Sequence, residues 1–296
     1  MGAVCFGGKM RKLSYIIGDE YDGKDVISFL RNEAKCSSKL IKLLKRVDGG
    51  ITLDGEHVRV VDKLRAGGVL ELNMPDVTGK ETPVDIPIDI IYEDDDILVV
   101  NKPPFMPVHP SRNHRDDTLA NAVAFHLMQK GKSTAMRAVN RLDRDTSGLV
   151  LICLNSYCAA RLAKNVEKEY FAIVDGVYGG SSTIDMPIRR VGESIIKREV
   201  GEGGERAVTH WTCEKNMDGL SLLRIRLETG RTHQIRVHFS SLGTPVLGDT
   251  LYSDGDKRIN RQALHCGTMR FIHPVTGERL QLEAPFPQDM MNIING

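Results

Sequence analysis

Residues 140–152 read NRLDRDTSGLVLI, and this stretch constrains the fold most. Leu149 to Ile152 is an aliphatic run behind a glycine, the pattern of a strand entering a core. Directly ahead of it stand Arg141, Asp143, Arg144 and Asp145. Charges carried that close to a core need partners or water. The loop is therefore either solvated surface or a place where a carboxylate is held for a reaction.

The rest of the chain supplies ample core for such a strand. Its 296 residues are 41% hydrophobic and 27% charged, enough for one large domain or two unequal ones. A net charge of +1 names no partner, because a nucleic-acid binder needs to be basic on one face only. The six cysteines form no CxxC pair, which points to reduced thiols and no zinc site. No apolar run has the length of a membrane span, and the start MGAVCFGGKMRK lacks the order of a signal peptide. Phe6 stands where a myristoylation signal needs Ser or Thr. We read a cytoplasmic monomer that does not meet a membrane, its first nine residues a loose tail.

Three segments are expected. Residues 12–75 read as a small module: a helical pattern from Asp25, then SKLIKLLKR capped by Ser37-Ser38 and ended by Gly49-Gly50. Two short strands around Asp54-Gly55 follow, then a glycine turn and a last strand to Asn73. Residues 76–87 are expected to link, being broken by Thr78-Gly79, Pro83 and Pro87. From 88 to 296, strands at Ile97–Val100, Leu149–Ile152, Phe171–Val174 and Leu222–Leu227 alternate irregularly with helices at 117–130 and 157–164. That mixture favours an α+β domain over a doubly wound parallel sheet.

Within the module, Arg31, Lys35, Lys39, Lys42, Lys45 and Arg46 face a single acid, Glu33. A basic helix face of this kind neutralises phosphates with little regard to sequence. Helix, basic helix, hairpin and glycine turn together resemble the S4-type RNA-binding domain, an α/β module. On that resemblance Lys39, Lys42, Lys45 and Arg46 bind substrate RNA.

Four stretches of the larger segment set polar residues beside core strands: 94–110 with its Lys102-Pro103, NRLDRDTSG, Lys168-Glu-Tyr-Phe171, and Thr229-Gly-Arg-Thr-His-Gln-Ile-Arg236. In order and spacing they resemble the RluA family of RNA pseudouridine synthases, over essentially residues 88–287. Two departures stand out, Asn140 where the family usually has histidine and Phe105 where a glycine commonly follows Lys-Pro. The resemblance implies a mixed, mainly antiparallel sheet with flanking helices, and an isomerase that needs neither metal nor organic cofactor. It assigns Asp143 as the carboxylate acting on the ribose and Arg236 as its fixed cation. Tyr170 stacks near the uracil and moves a proton late, and Arg141 fills the gap left when the base flips out. Thr232 is read as capping the helix that carries Arg236, with Gly243 and Pro245 ending it.

Blander assignments are kept where spacing is poor. Asp145 reads as a turn residue and Asp94-Asp95-Asp96 as a surface cap of a strand. The scattered histidines lack the spacing of a metal site. Two other functions compete: a catalytically silent RNA-binding protein of the same fold, and a metal-dependent nuclease built from Asp143, Asp145 and the Asp94–Asp96 cluster. The favoured substrate is large-subunit ribosomal RNA, with transfer RNA the runner-up.

Overall fold

The computed structural model describes residues 11–75, 79–132, 135–192, 194 and 196–296. The expected N-terminal tail and residues 76–78 of the expected linker lie outside these.

A small four-stranded antiparallel sheet comes first, ordered β1-β4-β2-β3. Its strands are β1 (Arg11–Ile16), β2 (Ile51–Leu53), β3 (Glu56–His57) and β4 (Val69–Met74), with helices α1 (Val26–Asn32) and α2 (Ser38–Leu44) between the first two. Ser37 caps α2 by accepting the amide of Leu40, as read from the sequence. The β2–β3 turn puts Asp54 at φ 52° and Gly55 at φ 87°, the left-handed pair a tight hairpin needs. The sequence reading lacked β1, and α2 stops at Leu44, a turn before Gly49. Leu40, Ile41 and Leu44 point inward, whereas Lys39, Lys42, Lys45 and Arg46 are exposed.

The second unit begins with β5 (Asp89–Glu93), β6 (Ile97–Lys102), α3 (Leu119–Gln129), β7 (Arg137–Ala138), β8 (Ser147–Cys153) and α4 (Ser156–Leu162). It continues with β9 (Val166–Asp175), β10 (Ser181–Asp185), β11 (Ile188–Arg190), β12 (Arg198–Val200), β13 (Val208–Met217) and β14 (Leu220–Leu227). Helix α5 (Gln234–Ser241), β15 (Leu264–Ile272), β16 (Arg279–Glu283) and α6 (Gln288–Asn295) complete it. One ten-stranded sheet runs β10-β13-β14-β9-β15-β8-β6-β5, with β16 beside β15 and β7 beside β8. Every pairing in it is antiparallel except β15 with β8. The architecture is the α+β one expected, and β8 is buried along its whole length.

Asp96 differs from its sequence reading, and the expected linker carries a contact that the reading lacked. Residues 79–87 carry no regular element, yet Asn121 on α3 holds them: its side-chain amide donates to Thr82 O, and its carbonyl accepts the amide of Val84. Asp96 is not surface but 2% exposed, because Arg11 of β1 reaches it through two hydrogen bonds of 2.8 and 2.6 Å. Asp94 does cap β6, accepting the amides of Asp96 and Ile97. The Arg11–Asp96 pair, a Tyr15–Tyr157 hydroxyl contact and an Arg161 bond to Ala34 O seat the small sheet against the large one. A continuous apolar core runs through both.

Candidate active site

The NRLDRDTSG loop enters β8 through a set of contacts that leave it little freedom. Asn140 donates to Leu149 O at 3.0 Å and accepts Leu151 N at 2.9 Å, bracing the loop against the strand it feeds. Thr146 and Ser147 are buried, the first bonded by Gln262 and the second by His265 Nδ1 at 2.9 Å. Gly148 sits at φ 109°, and a Cβ there would meet Cys266 O at 2.3 Å. The glycine is thus demanded by the backbone of β15 passing alongside, where the parallel pairing forms.

Two buried cations fasten the carbonyls of the turn. Lys102, 0% exposed, donates to Pro103 O, Met106 O and Arg144 O at 2.7, 2.8 and 3.0 Å. Burial pulls its pKa down to about 7, with the charges of Asp145 and Asp143 opposing. Arg261 bonds Asp145 O and is clamped by Asp289 of α6 at 2.6 and 2.8 Å. Asp145 itself pairs with the exposed Arg144 next door, a turn residue as expected.

Asp143 stands at the crest, its side chain 29% exposed. Arg236 Nη1 donates to its Oδ2 at 2.8 Å, and among the described residues Oδ1 takes no hydrogen bond. Arg236 is itself locked from behind by Asp249, whose two oxygens accept Nε and Nη2 at 2.6 and 2.9 Å. Burial opposes the guanidinium charge, but the bonds and charge of Asp249, and then of Asp143, outweigh it and raise the pKa. The Arg236 guanidinium also lies over the Tyr252 ring, 5.2 Å from its centroid. Tyr170, on β9 opposite Cys266 of β15, is 7% exposed. Burial first, then the charges of Cys266 and Asp143, hold its phenol well above the ordinary value, so it stays protonated.

The helix start differs from its reading. Thr232 does not cap α5: the N-cap is His233, left-handed at φ 58° and without a side-chain cap bond. The ordering is done by Gln234, which accepts Thr229 Oγ1 and the amide of Arg231 and donates to Val208 O. Gly243, at φ 75°, ends the helix as expected. Arg236 thus lies in the first turn, on an element pinned at both ends.

Of the residues singled out from sequence, Asp143 and Arg236 meet directly and Tyr170 lies on a strand within reach of their field. Arg141 is exposed, near enough to His109 for its charge, after burial, to lower that ring's pKa. Lys39 and Lys42 lie on α2 of the small unit, with Lys45 at its C-cap and Arg46 just beyond, and none of them enters this site. Phe105 is left-handed at φ 64° and 48% exposed, so the glycine it replaces belongs to a position where glycine is unstrained. Asp249, His233 and Tyr252 were missed as site residues. Nothing in spacing marks Asp249; only the rule that a buried arginine needs full compensation would have called for a second acid.

The nuclease arrangement is not assembled. β6 and β8 pair antiparallel from Ile97↔Cys153 to Lys102↔Gly148, so Asp94–Asp96 and Asp143 occupy opposite ends of the pair. At about 3.3 Å per residue they are roughly 20 Å apart. Asp94, Asp96 and His273 do converge, with His273 Nε2 3.0 Å from Asp94, a grouping that spacing did not reveal. Both oxygens of Asp96 are already taken by Arg11, and Asn155 adds a bond to Oδ1.

The class of protein is set by similarity to known proteins: the chain belongs to the RNA pseudouridine synthase family, RluA type, whose members are isomerases that modify RNA. The family model described as RNA pseudouridylate synthase matches residues 96–241, which span Asp143 and Arg236. The chain is similar to the uncharacterized RNA pseudouridine synthase YjbO of Bacillus subtilis, 40% identical over 89% of this chain and 96% of the relative. Ribosomal large subunit pseudouridine synthase D of Xanthomonas campestris is 35% identical over 87% of this chain and 83% of its own. Human RNA pseudouridylate synthase domain containing 1 shares the fold with a TM-score of 0.57 at 26% identity, covering 71% of this chain and 89% of that one.

Proposed function

We propose that the protein isomerises uridines of large-subunit ribosomal RNA to pseudouridine, with Asp143 acting on the ribose and without metal or organic cofactor. The observation that carries this reading is the half-occupied carboxylate: Oδ2 held by Arg236, Oδ1 free of any partner among the described residues. An ionised oxygen so placed attacks C1′ as nucleophile or removes a proton at C2′, releasing uracil to turn and rejoin through C5. Tyr170, protonated and close enough to feel the charge of Asp143, is the group for stacking on the uracil and for a late proton movement. Arg141, exposed two residues from Asp143, occupies the gap left by the flipped base. The relatives named for the ribosomal large subunit favour that RNA over transfer RNA.

The 12–75 module is read as S4-like, followed by a linker over 76–87 and the catalytic domain over 88–296. Lys39, Lys42, Lys45 and Arg46 hold the RNA backbone outside the site. A crevice of about 1250 Å3 where the two units meet adds Lys35, Arg161, Lys164, Arg270 and Arg279 against Glu167. We read the enzyme as a cytoplasmic monomer. No helix among the described residues is long and apolar enough to cross a membrane.

Tritium release from RNA labelled at uridine C5, in chelating buffer, tests the reading with unmodified ribosomal and transfer RNA as separate pools. Release from ribosomal RNA by wild type and none by Asp143→Asn is expected. Release from transfer RNA alone would move the substrate. Binding without release from either pool would favour a silent RNA-binding protein. Exchanging Lys39, Lys42 and Lys45 for Gln should weaken RNA binding and flatten its dependence on log salt by about 2–3, leaving the single-turnover rate at saturation unchanged. An unaltered salt slope would remove α2 from the RNA interface.

A further inference from the structure

Arg236 is not the sole group aimed at Oδ2 of Asp143. The His233 ring, its side chain 11% exposed, points Nε2 at the same oxygen from 3.8 Å. His233 also occupies a left-handed N-cap with no capping bond, a position where Asn or Gly would be unstrained. A local rule is broken there without local gain, which is the pattern of a side chain retained for where it points.

The neighbours favour one tautomer. Tyr252 packs edge-on against the ring, centroids 5.7 Å apart, with its hydroxyl 2.9 Å from Nδ1. That hydroxyl already accepts the amide of Arg198 at 3.0 Å, which leaves its own proton free to be given to Nδ1. Nδ1 then accepts, and the ring proton sits on Nε2, facing Asp143. We propose that His233 is a positioning residue for the reaction: held as the neutral Nε2–H tautomer by Tyr252, it is a second donor to Oδ2 of Asp143, and the two donors together turn Oδ1 toward the ribose. The proposal rests on the reading that Asp143 acts on the ribose. A gap of 3.8 Å closes to a hydrogen bond by a small rotation of the carboxylate, the tightening expected when substrate fills a site.

The surrounding charges agree with a neutral ring. Asp143 and Asp249 face it as acids, Arg236 and Arg198 as cations. Burial, followed by the two arginines, outweighs the pull of the carboxylates and holds its pKa below that of a free imidazole. At neutral pH the ring therefore donates without adding charge, and Asp143 keeps its reactivity. As pH falls through that lowered pKa the ring becomes a cation against Oδ2, and turnover should fall with it.

The test combines kinetics and spectroscopy on the full chain. With C5-tritiated unmodified ribosomal RNA at saturation, His233→Leu should lower kcat about ten-fold at unchanged KM. His233→Gln, which restores an N–H donor that cannot titrate, should recover most of that loss and flatten the profile between about pH 5 and 7. Tyr252→Phe removes the bond that favours the neutral ring and should move the acid limb to higher pH. Nitrogen-15 spectra should show His233 as the Nε2–H tautomer at pH 7, with its pKa lowered further in Asp143→Asn. Wild-type kcat in folded His233→Leu, or equal impairment of the Gln and Leu variants with unchanged melting temperatures, would overturn the proposal. So would an Nδ1–H or protonated ring at pH 7, or a His233 titration indifferent to Asp143→Asn. The spectra need no substrate, so absence of release by wild type from every RNA would sink the ribose-acting reading while the His233–Asp143 contact is still decided.

Discussion

Two carboxylates mark the two ends of the β6–β8 pair, and both are held by an arginine. Asp96 at one end has a side chain 3% exposed and both oxygens bonded, by Arg11 twice and by Asn155. Asp143 at the other is 29% exposed, with one oxygen bonded and one open. The partner arginines differ in the opposite sense. Arg11 is 30% exposed and spends its charge on Asp96, whereas Arg236 is 7% exposed and divides its charge between Asp143 and a buried Asp249. Where the carboxylate is saturated, the pair fastens β1 to the large sheet. Where the arginine is saturated from behind, the carboxylate in front keeps a free oxygen. Satisfaction, more than the presence of charge, separates the two ion pairs.

Four substitutions sharpen or break this contrast. Asp143→Asn should lower C5-tritium release by about 10^4-fold while the melting temperature moves by less than about 2 °C, because Arg236 keeps Asp249. A large loss of stability would mean that Asp143 is structural after all. Asp249→Ala leaves a buried guanidinium with only a half-exposed partner and frees the amides of Leu251 and Tyr252. It should cost about 3 kcal/mol, read as a fall of roughly 10 °C in melting temperature, together with most of the activity. Retained stability there would contradict the view that Arg236 is fixed from behind.

Asp96→Ala should cost about 2 kcal/mol, less than Asp249→Ala because Arg11 can rehydrate. Limited proteolysis should then cut between the two sheets sooner, with the single-turnover rate unchanged. A slowed chemical step would tie the far end of the strand pair to the site. The smallest effect is expected of Phe105→Gly, which deletes an aromatic yet relieves a left-handed backbone. Its melting temperature should stay level or rise by about 1–3 °C, and a fall of several degrees would show that the ring is packed.

Local chemistry was readable residue by residue. Ser37 capping α2, the Asp54-Gly55 hairpin, Gly243 ending α5, the strand behind Gly148, and Asp143 with Arg236 as partners all follow from short-range rules or from motif order. What escaped notice depends on residues far apart in sequence. Thr232 looked like a cap, but Gln234 reaches Val208 on β13 and does the ordering instead. Asp96 looked solvated because its arginine lies 85 positions away. Asp249 carries no motif of its own, and its meaning comes only from the guanidinium it meets.

The sequence by itself determined which strands are buried, where tight turns must be glycine, and which carboxylate and arginine belong together. The first two depend on side-chain periodicity and backbone sterics, which are local. The pairing of Asp143 with Arg236, 93 positions apart, came from the order of the motifs that resemble the family. Only the tertiary structure decided how fully each carboxylate is satisfied, because that depends on which donors the folded sheet brings within about 3 Å. The same residue types, Asp and Arg, therefore saturate the carboxylate at one end of β6–β8 and leave an oxygen unbonded at the other.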